Sequence, residues 1–172
     1  MAFISLLKPP VASFKAALFA ATILLISGQG HADPGPEGPF FGLSGHWSGS
    51  GTIMLKNGSS ERIRCRATYA VNGTGRAIQQ SLRCASDSYR LEISANVMSE
   101  GGAISGSWAE ATRNAQGSVS GRASPGGIHA IVQGPGFSAG LDIVSRGERQ
   151  TVAIRIQGDT DVSSVSIAMH RG

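Results

Sequence analysis

From residue 43 onward, apolar side chains recur at every second position in short runs, and the runs are separated by Gly, Asn, Asp and Pro clusters. The most regular stretch is Arg62–Ala85. There Ile63, Cys65, Ala67, Tyr69 and Val71 share one face, and Arg62, Arg64, Arg66 and Thr68 share the other. This is the period-2 signature of a strand with one dry and one wet side. Asn72-Gly73-Thr74-Gly75 supplies residues that accept a hairpin turn. If paired residues carry numbers summing to about 149 in an antiparallel ladder, Cys65 lies opposite Cys84. The same register sets Val71 against Ile78, Ala67 against Leu82, Tyr69 against Gln80 and Arg62 against Asp87. It predicts a disulfide across the hairpin, since opposed residues come close enough to be bridged.

The rest of the chain repeats the pattern. One face is formed by Trp47, Gly49, Gly51, Ile53 and Leu55, and the next by Tyr89, Leu91, Ile93, Ala95 and Val97. Ile104, Gly106 and Trp108 follow, with a turn expected around Asn114–Gly117, and then Val119, Gly121 and Ala123. Ile128–Val132, Phe137–Ile143, Val152–Ile156 and Val165–Met169 complete the series. Evenly spaced short strands with turn residues between them indicate an all-β fold. Tight connections favour an up-and-down meander, and closure removes two exposed sheet edges. The expectation is a single antiparallel β-barrel of eight to ten strands with one disulfide-linked hairpin, spanning residues 43–172.

The N-terminal segment reads differently. Lys8 and Lys15 precede the apolar run Ala16–Ile26, and small residues stand at Gly30 and Ala32. This is a secretory signal over residues 1–32, because the run has about half the length of a bilayer-spanning helix. Residues 33–42 form a Pro/Gly-rich arm, expected to be loose, with docking of Phe40 and Phe41 as the alternative. The expected destination is periplasmic or extracellular, which agrees with paired cysteines.

Without the leader, thirteen basic residues face eleven acidic ones, a net charge of +2. That argues against nucleic acid as a partner. The outer-face arginines Arg64, Arg66 and Arg83 fit an anionic partner such as a membrane headgroup or acidic glycan. Screening by water with Asp87 and Glu61 is the favoured alternative, so peripheral membrane contact is not the expectation.

Chemistry-bearing clusters are sparse. His46, His129 and His170 fall on separate strands with no metal-ligand spacing, and Asp159 and Asp161 sit in a turn. No nucleophile–base–acid grouping stands out. The expectation is no enzyme, no metal and no cofactor. Trp47, Tyr69, Gln80, Tyr89 and Trp108 project to the apolar sides of their strands and form the candidate ligand-binding set. Aromatic walls with a few polar groups suit a pocket and suit a plain core equally well. The small inward residues Gly49, Gly51, Ala67, Ala95 and Gly106 leave room for a ligand.

Gly45-His46-Trp47 ahead of a meander resembles the G-x-W opening of the calycin barrels, the lipocalins, avidins and their relatives. The resemblance implies an eight-stranded barrel whose tryptophan closes one end. Leu43–Gly51 is also similar to the first strand of small periplasmic barrels that inhibit secreted metalloproteases, and implies an arm able to enter a protease cleft. The whole chain looks like small exported bacterial proteins with no assigned activity. The leading expectation is a binding protein holding a small apolar ligand in the barrel, or engaging a secreted protein at its rim. A protease inhibitor acting through the arm and a structural envelope protein with no ligand are the alternatives.

Overall fold

The computed structural model describes residues 38–172; the expected secretory signal, residues 1–32, lies outside them. Ten strands follow a short 3-10 turn, Phe41–Leu43. They are β1 (Gly45–Leu55), β2 (Ser60–Val71), β3 (Ala77–Ala85), β4 (Arg90–Glu100), β5 (Ala103–Glu110), β6 (Ala115–Ser124), β7 (Gly127–Gly134), β8 (Phe137–Arg146), β9 (Arg149–Gly158) and β10 (Val162–Arg171). Each strand pairs antiparallel with its sequence neighbours, and β1 closes on β10 to complete the barrel. The upper bound of the expected strand count therefore holds, and the barrel is wider than the eight-stranded one implied by the resemblance.

The hairpin register is the expected one. Cys65 pairs with Cys84, Tyr69 with Gln80, and Val71 with Ile78, and a disulfide joins the two cysteines. The Arg62–Asp87 pair does not form, because β3 ends at Ala85. Asn72 shapes the turn: its side-chain oxygen accepts the N–H groups of Arg76 and Ala77 at 2.9 and 3.0 Å.

Alternation along the strands sends Ile53, Ile63, Ile104, Ile128, Ile143, Val152 and Ile167 into a common core. Arg62, Arg64, Arg66, Ser94, Asn96, Ser118 and Ser120 face outward and are exposed. Apolar inside and polar outside is the reverse of a barrel whose strands face lipid. No helix of the described residues is long and apolar enough to cross a membrane.

Candidate ligand site

The barrel has two unlike ends. The first carries the start of β1 and the β2–β3, β4–β5, β6–β7 and β8–β9 turns. Phe40 and Leu43 fill it, with 1% and 5% of their surface exposed. Gly38 N–H donates to Thr74 O at 2.9 Å and Phe40 N–H to Gly75 O at 3.0 Å, stitching the segment to the β2–β3 turn. Gly75 adopts φ +68°, where a side chain would be strained and would press on Gly38 and Phe41. Of the arm expected to be loose, the described residues 38–42 are docked through Phe40, while Phe41 stays exposed. The physical reason is a burial site for one aromatic ring beside backbone groups that need partners.

Trp47 lies beneath this plug. Its indole N–H donates to Leu43 O at 2.8 Å, and the Arg171 guanidinium sits 4.8 Å from the ring centroid. Arg171 also donates to the backbone oxygens of Gly42 and Ser44. One cation thereby ties the last strand to the segment that covers the opening. Tyr69 meets Trp47 edge-on at 6.4 Å and donates its hydroxyl to Gln150 Oε1 at 3.0 Å. Burial pushes the Tyr69 phenol up to about 12. Gln80 faces Tyr69 across the β2–β3 ladder and is half-buried.

Among the described residues the opposite end has no plug. Its five connections (residues 56–59, 86–89, 111–114, 135–136 and 159–161) are too short to fold across the opening of a ten-stranded barrel. Leu55, Tyr89, Leu91, Phe137, Val162 and Val165 pack against the core from this side and remain half-buried. Trp108 lies just inside, with its N–H on Gln133 O at 2.9 Å and its ring 5.8 Å from Phe137. Gly117 and Gly134 make space for it: a Cβ on either would stand 2.8 Å from the indole. Gly117, expected in a turn, is therefore a strand residue under an aromatic ring, and the turn closes earlier, at Asn114 with φ 52°.

Two carboxylates at this end are fully engaged. Burial alone would raise the Glu110 carboxyl, but N–H groups of Glu92, Thr112 and Arg113 and the Thr112 hydroxyl, at 2.7–3.1 Å, outweigh it and hold it at about 2. Glu61 accepts from Ser86 Oγ at 2.8 Å and Ser88 N at 3.1 Å, and these bonds lower its pKa. No buried side-chain polar atom of the described residues lacks a partner. The apolar side chains Leu55, Tyr89, Leu91, Phe137 and Val162 therefore adjoin no unsatisfied buried polar side chain of the described residues.

The structure thus divides the candidate set. Trp47, Tyr69 and Gln80 gather on the plugged side, and Tyr89 and Trp108 belong to the open side. Leu55, Leu91, Phe137 and Val162 complete the mouth and were not singled out from the sequence. Their alternation was visible there; which end stays uncovered was not. His46, His129 and His170 are exposed on the outer wall, and the described residues include no group of three His, Cys, Asp or Glu that could hold a metal.

The two best-defined concavities both lie outside the lumen. One, of about 720 Å³, runs along the outer wall over β10, β1, β2, β3 and β4. The other, of about 480 Å³, lies beside the plug.

No family model and no curated protein matches the sequence. Solved structures do. Rv2717c from M. tuberculosis superposes with a TM-score of 0.59 at 8% identity, over 77% of this chain and 94% of that one. The S-type phycobiliprotein lyase CPES from Guillardia theta gives 0.56 at 11% identity, over 77% and 90%. A protein of unknown function of the DUF3598 family from Nostoc punctiforme gives 0.56 at 13% identity, and the match spans 80% of this chain but only half of that protein. At such identities the likeness establishes the fold, a barrel consistent with the calycin-like expectation, and nothing finer. It also corrects one expectation. A barrel of this shape serves a protein named a lyase, so the reading of the chain as no enzyme, drawn from its scarcity of catalytic groupings, does not stand.

Proposed function

We propose that this protein is an exported binding barrel that takes a small apolar ligand at its open mouth. In this reading residues 1–32 are the leader, 33–42 the arm and 43–172 the barrel, and the disulfide suits an oxidising compartment outside the cytoplasm. The observation that carries the proposal is a difference of cover. Phe40 and Leu43 seal one end, leaving only Val71 and Val97 half-buried there, while half-buried Leu55, Leu91, Phe137 and Val162 at the other end have no such segment over them among the described residues. Tyr89 and Trp108 supply the aromatic part of the contact. Covering such surface gains roughly 25 cal/mol per Å². Phe40 is committed to the plug, so an inhibitor that inserts this part of the arm into a protease is not favoured.

Titration with the neutral apolar dye N-phenyl-1-naphthylamine tests this. Saturable fluorescence enhancement that is lost in Leu91→Glu, with the fold of the variant verified by circular dichroism, is the expected result. No saturation, or equal binding by the variant, contradicts it.

A further inference from the structure

The outer wall carries a second feature. Registers of the five strands from β10 to β4 fix a grid of outward side chains. One row runs His170, Ser48, Arg66, Arg83, Glu92, and the next runs Ala168, Ser50, Arg64, Ala85, Arg90. Arg62 extends the β2 column beyond Arg64. These residues line the concavity of about 720 Å³, and all five arginines are exposed.

Small side chains at Ser48, Ser50, Ala85 and Ala168 form low ground between tall cationic ones. Arg66 and Arg83 face each other across the ladder, where like charges are destabilising. Asp87 and Glu61, expected to screen these arginines, form no ion pair with them. Glu61 is turned to Ser86 and Ser88. Of these five arginines Arg83 alone has a carboxylate of the described residues within 4.0 Å, Glu92 at 3.9 Å; Arg62, Arg64, Arg66 and Arg90 have none. Uncompensated cations concentrated in one groove of a chain with a small net charge focus potential on that groove.

We infer that this groove binds an acidic polysaccharide, with carboxylates or sulfates on successive sugars pairing to the arginine column and hydroxyls meeting Ser48 and Ser50. Alternate residues on one strand face stand about 6.8 Å apart, so Arg62, Arg64 and Arg66 form a linear comb that suits an extended chain of anions. No Phe, Tyr or Trp lines the groove, so successive bases of a single-stranded nucleic acid would find no run of large aromatic rings to stack on. The site is concave, and the large exposed apolar residues Phe41, Met54, Met98, Ile131 and Val144 are not part of its lining, so a bilayer would meet no apolar anchor there.

The test is binding of heparin and of polygalacturonate to the full protein at several salt concentrations. Expected are affinity that falls with salt and a loss of roughly tenfold or more in the Arg64→Ser/Arg66→Ser/Arg83→Ser variant. The dye binding of that variant at the mouth is expected to be unchanged. Arg122→Ser, on β6, serves as the control and is expected to bind normally. Should the triple variant fail to fold, Arg66→Ser alone must still weaken both polysaccharides. Failure to bind either polysaccharide overturns the inference, as does retention of full affinity in the arginine variants. Equal or tighter binding of oligo-dT or of phosphatidylglycerol vesicles overturns it too.

Discussion

The two ends of this barrel are built from the same kinds of strand and finished differently. At the plugged end a short N-terminal segment contributes two apolar side chains, Phe40 and Leu43, and the last strand returns Arg171 over Trp47. At the open end Trp108 also packs on an aromatic ring and donates to a carbonyl, yet Phe137 and Leu91 stay half-buried, with no plug over them among the described residues. An indole with its N–H satisfied is thus common to both ends and does not distinguish a lid from a mouth. What distinguishes them is the chain that crosses the opening. Strand alternation makes the wall, and the segment outside the strands decides which end is available to a ligand.

The difference can be broken by mutation, beginning with the plugged end. Trp47→Ala removes a fully enclosed ring and the anchor of Arg171, and is expected to cost about 3–5 kcal/mol in urea unfolding. A loss below about 1 kcal/mol would mean that the plug does not depend on it.

Glu110→Gln comes next. It exchanges a carboxylate that accepts four hydrogen bonds for an amide that must turn donors toward donors, an expected loss of about 1–3 kcal/mol at neutral pH. Because the folded carboxyl is held below its ordinary value, its contribution is present above the normal carboxylate range. It is lost as the pH falls from about 4.5 towards about 2. Unfolding curves of the two proteins should therefore converge in acid; a constant gap down to that range would contradict the assignment.

The smallest effect belongs to the mouth. Phe137→Ala is expected to cost about 1–2 kcal/mol, since part of its surface is already exposed, while apolar dye binding weakens more than stability does. An equal penalty at Trp47 and Phe137 would erase the distinction between the ends.

Much of this was legible in the residues. The spacing of Ile63, Cys65, Ala67 and Tyr69 against Ile78, Gln80, Leu82 and Cys84 implies the register and the disulfide, because a one-residue slip would turn the apolar face outward. Glu110 sits on the same parity as Ile104, Gly106 and Trp108, so its inward position was readable as well. Its satisfaction was not, since the partners come from the following turn and from β4. The docking of Phe40 was not readable either. A run of prolines and glycines has no period, and its anchor points, Thr74 and Gly75, are fixed only once the β2–β3 turn has formed. Trp47, Tyr69 and Trp108 lie on the inward faces of their strands, whereas Tyr89, expected on a strand, precedes β4 in the connection 86–89. Their division between two ends follows from strand direction, which places Trp47 at the start of β1 and Trp108 near the end of β5, at opposite rims.

The central claim is that apolar ligands enter at the Trp108 end and only there. Contact quenching by a brominated long-chain alcohol, read in Trp47→Phe and Trp108→Phe proteins that each retain one indole, tests it most directly. The account predicts saturable quenching of Trp108 in the first protein and none of Trp47 in the second. Quenching of Trp47 to the same extent, or of neither indole, would contradict it.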